Sequence, residues 1–71
     1  MSPDKLVTMA NQIGKSFAHE GEPDAVAAIA DHLAKFWEPR MREAVLEHAA
    51  GGGNGLDPIV RRALARLASR K

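Results

Sequence analysis

The chain contains no cysteine, so disulfides, thiolate metal sites and cysteine nucleophiles are all excluded. It has no apolar run approaching the roughly 18 residues that a membrane span requires. The opening Met1-Ser2-Pro3-Asp4-Lys5 lacks a basic segment followed by an apolar one, so no signal peptide is expected. Nothing alternates with the two-residue period of a strand, and there is no internal repeat. Aromatic residues number only three, and two of them stand side by side at Phe36-Trp37. The expectation from these absences is a soluble, cytoplasmic, all-α protein with little machinery for chemistry.

A chain of 71 residues makes a single domain, 1–71, near the lower size limit for independent folding, where about 60% of the unfolded surface is buried. A core of that size rarely supplies more than roughly 3–5 kcal/mol of net stability without staples.

The four prolines organise what is there. Each sits where a helix can begin, because proline's fixed φ and missing N–H suit the first helical position. Ser2-Pro3-Asp4 opens a first helix, with Ser2 as N-cap and Asp4 near the positive helix end. Leu6, Met9, Ala10, Ile13 and Phe17 then recur at helical spacing, and Gly21 stops the helix. Glu22-Pro23-Asp24 opens a second, with Val26, Ile29, Ala30, Leu33 and Trp37 in one stripe. Pro39 ends it, since the residue before a proline is pushed out of the α region, and starts a third helix through Met41, Val45, Leu46 and Ala49. Gly51-Gly52-Gly53-Asn54-Gly55 reads as a loose linker. Asp57-Pro58 then forms an N-cap and first position for a last helix bearing Ile59, Val60, Ala63, Leu64 and Leu67. The predicted architecture is a small bundle of three helices plus a short C-terminal fourth, with a rigid corner at Pro39, alanines permitting close packing and a frayed tail over 68–71.

Charge is unevenly placed. Residues 1–57 hold nine acids against five bases, a net −4, whereas Arg61, Arg62, Arg66, Arg70 and Lys71 follow with no acid, a net +5. Such an end suits nucleic acid, an acidic protein surface or plain solvation. A small nucleic-acid-binding module using this last helix is the alternative function. It has no interleaved aromatic and no helix-turn-helix spacing to support it.

Catalytic signals fail one by one. His19, His32 and His48 fall in separate segments without metal-ligand spacing, so no metal, cofactor or catalytic residue is assigned. Glu43 and Glu47 share a helix face, where like charges mildly repel; they read as a solvated face. Ser2, Ser16 and Ser69 have no neighbouring base. The glycine-rich stretch matches neither a phosphate loop nor a dinucleotide fingerprint.

What remains is surface. Phe36 and Trp37 are separated by about 100° of helix, so both face the bundle only if its apolar side is wide. Trp37 continues the apolar stripe and is the core candidate. Phe36 lies on its margin with His32. Arg40 and Arg42 occupy the first turn of the third helix, where the helix dipole disfavours a cation by roughly 0.3–1 kcal/mol each. Either Glu38 and Glu43 offset this, or an acidic or carbonyl-rich partner does; arginines and aromatics are common interface anchors. Asn11 and Gln12 sit mid-helix, where their propensity is middling, and are read as solvent-exposed or as holding a specific hydrogen-bond partner.

Three segments, taken in order, carry a resemblance: Lys5-Leu-Val-Thr-Met-Ala-Asn-Gln-Ile-Gly14, Ile29-Ala-Asp-His-Leu-Ala-Lys-Phe-Trp-Glu-Pro-Arg-Met-Arg42 and Gly55-Leu-Asp-Pro-Ile-Val60. With them the chain resembles the delta subunit of the soluble NAD-dependent formate dehydrogenases, the molybdenum- or tungsten-containing multi-subunit enzymes of bacteria. The resemblance implies an accessory subunit without cofactors, attached to a large subunit that carries the molybdopterin centre and iron–sulfur clusters. The catalytic (alpha) subunit is then the expected partner, with self-association as a further possibility. The expected partner-binding residues are Asn11, Gln12, His32, Phe36, Trp37, Arg40, Met41 and Arg42.

Overall fold

The computed structural model describes residues 3–69. The expected cap at Ser2 and the last two cations, Arg70 and Lys71, lie outside them. Four α-helices follow one another: α1 (Pro3–Phe17), α2 (Asp24–Phe36), α3 (Pro39–Ala50) and α4 (Pro58–Ser69). No strand occurs among the described residues. The fourth helix runs 12 residues, as many as the third.

Pro3, Pro39 and Pro58 stand at the first position of a helix as expected, whereas Pro23 is the N-cap of α2, which begins one residue later at Asp24. Pro39 stands at the start of α3, and Glu38 before it is extended at φ −63° and ψ 151°, the conformation that a following proline enforces. Trp37 is extended as well, at ψ 138°, so α2 stops at Phe36 and the chain turns a corner. Pro58 opens α4, with the Asp57 carbonyl accepting the first helical bond from the Arg61 N–H at 3.0 Å. Gly21 does not end α1 directly. The α-helix stops at Phe17, and a 3-10 turn over Ala18–Glu20 carries the chain to Gly21, whose N–H bonds the Ala18 carbonyl at 3.1 Å.

Apolar spacing decides which faces meet. Leu6, Ala10 and Gly14 are the buried residues of α1, one turn apart. α2 buries Ala25, Val26, Ile29, Ala30 and Leu33, and α4 buries Val60, Ala63, Leu64 and Leu67. α2 packs most extensively on α4, α1 touches the other three helices, and α3 rests on α1 and α4. α2 and α3, although consecutive, hardly touch, because the Pro39 corner splays them. Ile29, Leu33, Val45, Val60 and Leu64 are the largest fully buried side chains, and no polar or charged residue is buried among the described residues.

Gly14 fixes the closest approach. A Cβ built there lies 2.6 Å from Val60 Cγ2 and 3.6 Å from Ile59 Cγ2. Both neighbours are β-branched and stiff at χ1, so neither rotates away easily.

The glycine-rich segment differs from the loose linker that its composition suggests. The Gly53 N–H bonds the His48 carbonyl at 3.0 Å and the Leu56 N–H bonds the Gly53 carbonyl at 3.0 Å. The second bond closes a turn over Asn54-Gly55, in which Gly55 takes φ +85°, the value a type II turn demands at that place. Asn11 Nδ2 donates to the Gly55 carbonyl at 2.9 Å, and Asn11 Oδ1 accepts the Asp57 N–H at 3.0 Å. Arg61 donates from Nη2 to the Gly53 carbonyl at 2.9 Å and from Nε to the Leu56 carbonyl at 3.2 Å. His48 Nε2 donates to the Asn54 carbonyl at 2.8 Å. Leu56 is pulled into the core, 4% exposed. Glycine freedom here serves a shape that side chains from α1, α3 and α4 then hold.

Two outcomes test this account. Gly14→Ala gains up to about 1 kcal/mol of helix propensity but forces overpacking that costs about 1–3 kcal/mol. The melting temperature therefore falls, although alanine is the better helix former. Asn11→Ala removes two hydrogen bonds worth about 0.5–1.5 kcal/mol each. A lower melting temperature and faster amide exchange over residues 53–57 follow, read by calorimetry and hydrogen exchange.

Candidate partner interface

The residues expected at an interface separate into three groups. Phe36 closes α2 on its outer face and is 72% exposed, the one large apolar side chain so exposed among the described residues. One helical turn earlier, His32 lies against it with ring centroids 4.9 Å apart and planes tilted by 43°. Phe17, from the end of α1, meets the other side of His32 at 6.0 Å and 59°. These offset and tilted geometries are the favourable ones for aromatic pairs. The result is a strip of three rings, Phe17–His32–Phe36, running from a half-buried end to an exposed one. Periodicity places Phe17 only in the core; the i, i+4 relation of His32 and Phe36 is legible in the sequence, whereas the α1–α2 crossing that brings in Phe17 is not.

Arg40 and Met41 form a second group. They line a shallow groove of about 310 Å³ with Leu6, Glu38 and Ala44, between α1 and α3. Arg40 is exposed and makes no hydrogen bond or ion pair among the described residues; Met41 is half-buried against the core.

Trp37 and Arg42 turn inward. Trp37 is 6% exposed and belongs to the core. Arg42 Nη1 donates to the Ala34 carbonyl at 3.2 Å and also to the Trp37 carbonyl. For Arg42 the dipole problem at the start of α3 is thus answered by neither Glu38 nor Glu43. The guanidinium reaches back to the carbonyl end of α2, where a cation is favoured. A partner that took Arg42 would have to displace both bonds. Asn11, half-buried, has both ends of its amide engaged in the loop before α4. Gln12 is exposed.

The basic end is less available than its charge suggests. Arg61 holds the glycine-rich loop, and Arg62 pairs with Glu22, its Nε 3.1 Å from the carboxylate. Both partners of that ion pair are roughly half exposed, so its contribution to stability is small. Of the described cations on α4, Arg66 alone lacks such an engagement.

No group of three or more potential metal ligands comes together among the described residues, and no described helix is long and apolar enough to cross a membrane. Chemically, the arrangement offers an exposed aromatic side chain at the end of α2 and, between α1 and α3, a groove lined by Leu6, Met41 and Ala44 with Glu38 and the exposed Arg40.

Comparison with curated proteins and with solved structures finds no match. A protein-family model, described as the NADH-dependent formate dehydrogenase delta subunit FdsD, matches residues 5–64. The match runs from the first turn of α1 to the middle of α4, well over half of the chain. The chain belongs to the family of NADH-dependent formate dehydrogenase delta subunits.

Proposed function

We propose that this chain is a non-catalytic, cofactor-free accessory subunit of a cytoplasmic molybdenum- or tungsten-containing formate dehydrogenase, and that it assists assembly or stability of the complex by binding the catalytic (alpha) subunit. The observation that carries the docking part of this reading is Phe36. A phenylalanine 72% exposed in a chain with three aromatic residues leaves apolar area in water that a partner can cover, at about 25 cal/mol per Å². His32 and Phe17 brace it from behind, so little side-chain freedom is lost on binding, which is the usual advantage of a preorganised anchor. Arg40 and Met41 on the far side of the Pro39 corner supply a polar rim and a second apolar contact, with Gln12 further along α1. Trp37, Arg42 and Asn11 act from behind the surface by holding the corner and the loop.

Nucleic-acid binding through α4 has less support than its charge alone suggests, since Arg61 and Arg62 already have intramolecular partners.

Phe36→Ser tests the proposal with little risk to the fold, because the side chain is already largely exposed. The variant is expected to keep the wild-type circular-dichroism spectrum and melting temperature, yet to be lost from the affinity-purified dehydrogenase. Arg40→Glu, which spares Arg42, is expected to weaken retention more steeply as salt rises, since a rim charge acts mainly through screened electrostatics. Full retention of folded Phe36→Ser would contradict the assignment of this face.

A further inference from the structure

Asn54-Gly55, at the tip of the loop before α4, has no part in the aromatic face, and its chemistry points elsewhere. Where glycine follows asparagine, no Cβ shields the backbone nitrogen from the asparagine side chain. Both residues are exposed, and the Asn54 side chain makes no hydrogen bond among the described residues. We propose that Asn54-Gly55 is a site of spontaneous succinimide formation, held closed while the loop is fastened, and that its isoaspartyl product unfastens α4 from α1.

The reaction needs only water and a base. The Gly55 nitrogen gives up its proton and attacks Asn54 Cγ. The N–Cγ bond forms, the Cγ–Nδ2 bond breaks, and Nδ2 leaves as ammonia with the proton. Water then opens the ring. Cleavage of N–Cγ gives aspartate, whereas cleavage between the nitrogen and the backbone carbonyl carbon gives isoaspartate, with the main chain running through the old side chain. Water enters, ammonia leaves, and nothing is oxidised or reduced.

The fastened loop opposes ring closure by geometry. Closure requires the Gly55 nitrogen to eclipse the Asn54 Cα–Cβ bond. A type II turn carries ψ of about +120° at its first central residue, which turns that nitrogen away from the side chain. His48 Nε2 holds the carbonyl of this same peptide plane at 2.8 Å, and Asn11 holds the next carbonyl, that of Gly55, at 2.9 Å. While both bonds stand, the plane does not rotate.

The isoaspartyl product adds a methylene to the main chain between Asn54 Cα and the Gly55 nitrogen. Asn11 needs the Gly55 carbonyl and the Asp57 N–H together, at 2.9 Å and 3.0 Å, and the lengthened chain no longer presents them in register. Ordinary aspartate at position 54 leaves the backbone path unchanged and the clamp intact.

The experiment is peptide mapping, with isoaspartate labelled by an isoaspartyl methyltransferase, after incubation of the full chain in mildly alkaline buffer. Three samples are compared: the folded chain, folded His48→Ala, and the wild-type chain in urea. Modification is expected at Asn54 and not at Asn11, slowest in the folded chain, several-fold faster in His48→Ala and fastest in urea. His48→Gln, which keeps a donor, is expected to stay near wild type. The purified isoaspartyl form should melt about 4–8 °C below wild type, while Asn54→Asp melts with it. Equal rates in the folded and urea-treated chain, no effect of His48→Ala, or an isoaspartyl form as stable as wild type would each overturn the proposal.

Discussion

Asn11 carries one acceptor and one two-hydrogen donor group on a short side chain, and the fold uses both ends on a single loop. By holding the Gly55 carbonyl and the Asp57 N–H together, it sets where α4 starts. The closeness of α1 to that helix is set one turn further on, where Gly14 leaves no room for a Cβ beside Val60. α4 in turn covers α2, and α2 holds Phe36 at its end. A polar clamp on one side of α1 and a missing methyl group beside it therefore determine how the aromatic face is presented. In a domain with so small a core, such contacts are a large fraction of the net stability.

The two connections flanking α3 work by different physics. At Pro39 the restriction is covalent: the ring removes the α region from Glu38, and Arg42 then ties the freed carbonyls of α2 to the start of α3. At the glycine-rich segment the backbone is permissive, and its shape is imposed by His48, Asn11 and Arg61. At the first corner the proline ring restricts Glu38 without help from any other side chain. The second depends on three side chains, which is why chemistry at Asn54-Gly55 has consequences for α4.

Much of this was legible before any coordinates. Prolines at or next to first helical positions, and apolar residues at helical spacing, marked four helices; Phe36 and Trp37 divide into surface and core as expected, but Trp37 does so from the extended corner after α2 and not from a further helical position. Local pattern could not supply what depends on tertiary approach. The sequence offers Arg42 only Glu38, Glu43 or a partner, and it is the α2–α3 corner that brings the carbonyls of Ala34 and Trp37 within its reach. Asn11 and Gly55 are 44 positions apart, so neither hinted at the other. Composition alone made the glycine segment look like a tether, because glycine frees the chain without saying what then holds it. Nothing in the local pattern around Gly14 points to Val60, whose Cγ2 leaves no room for a Cβ there.

Membership of the delta-subunit family makes the chain a subunit of the formate dehydrogenase kind; the aromatic face is the means of attachment proposed for it. Hydroxyl-radical footprinting of the subunit, free and within the purified dehydrogenase, tests that link most directly, because it reads the exposure of each side chain without any substitution in the sequence. The account predicts that oxidation of Phe36 is strong in the free subunit and largely suppressed in the complex, while partly buried Met9 on α1 changes little. Phe36 oxidised as readily in the complex as in the free chain would contradict it.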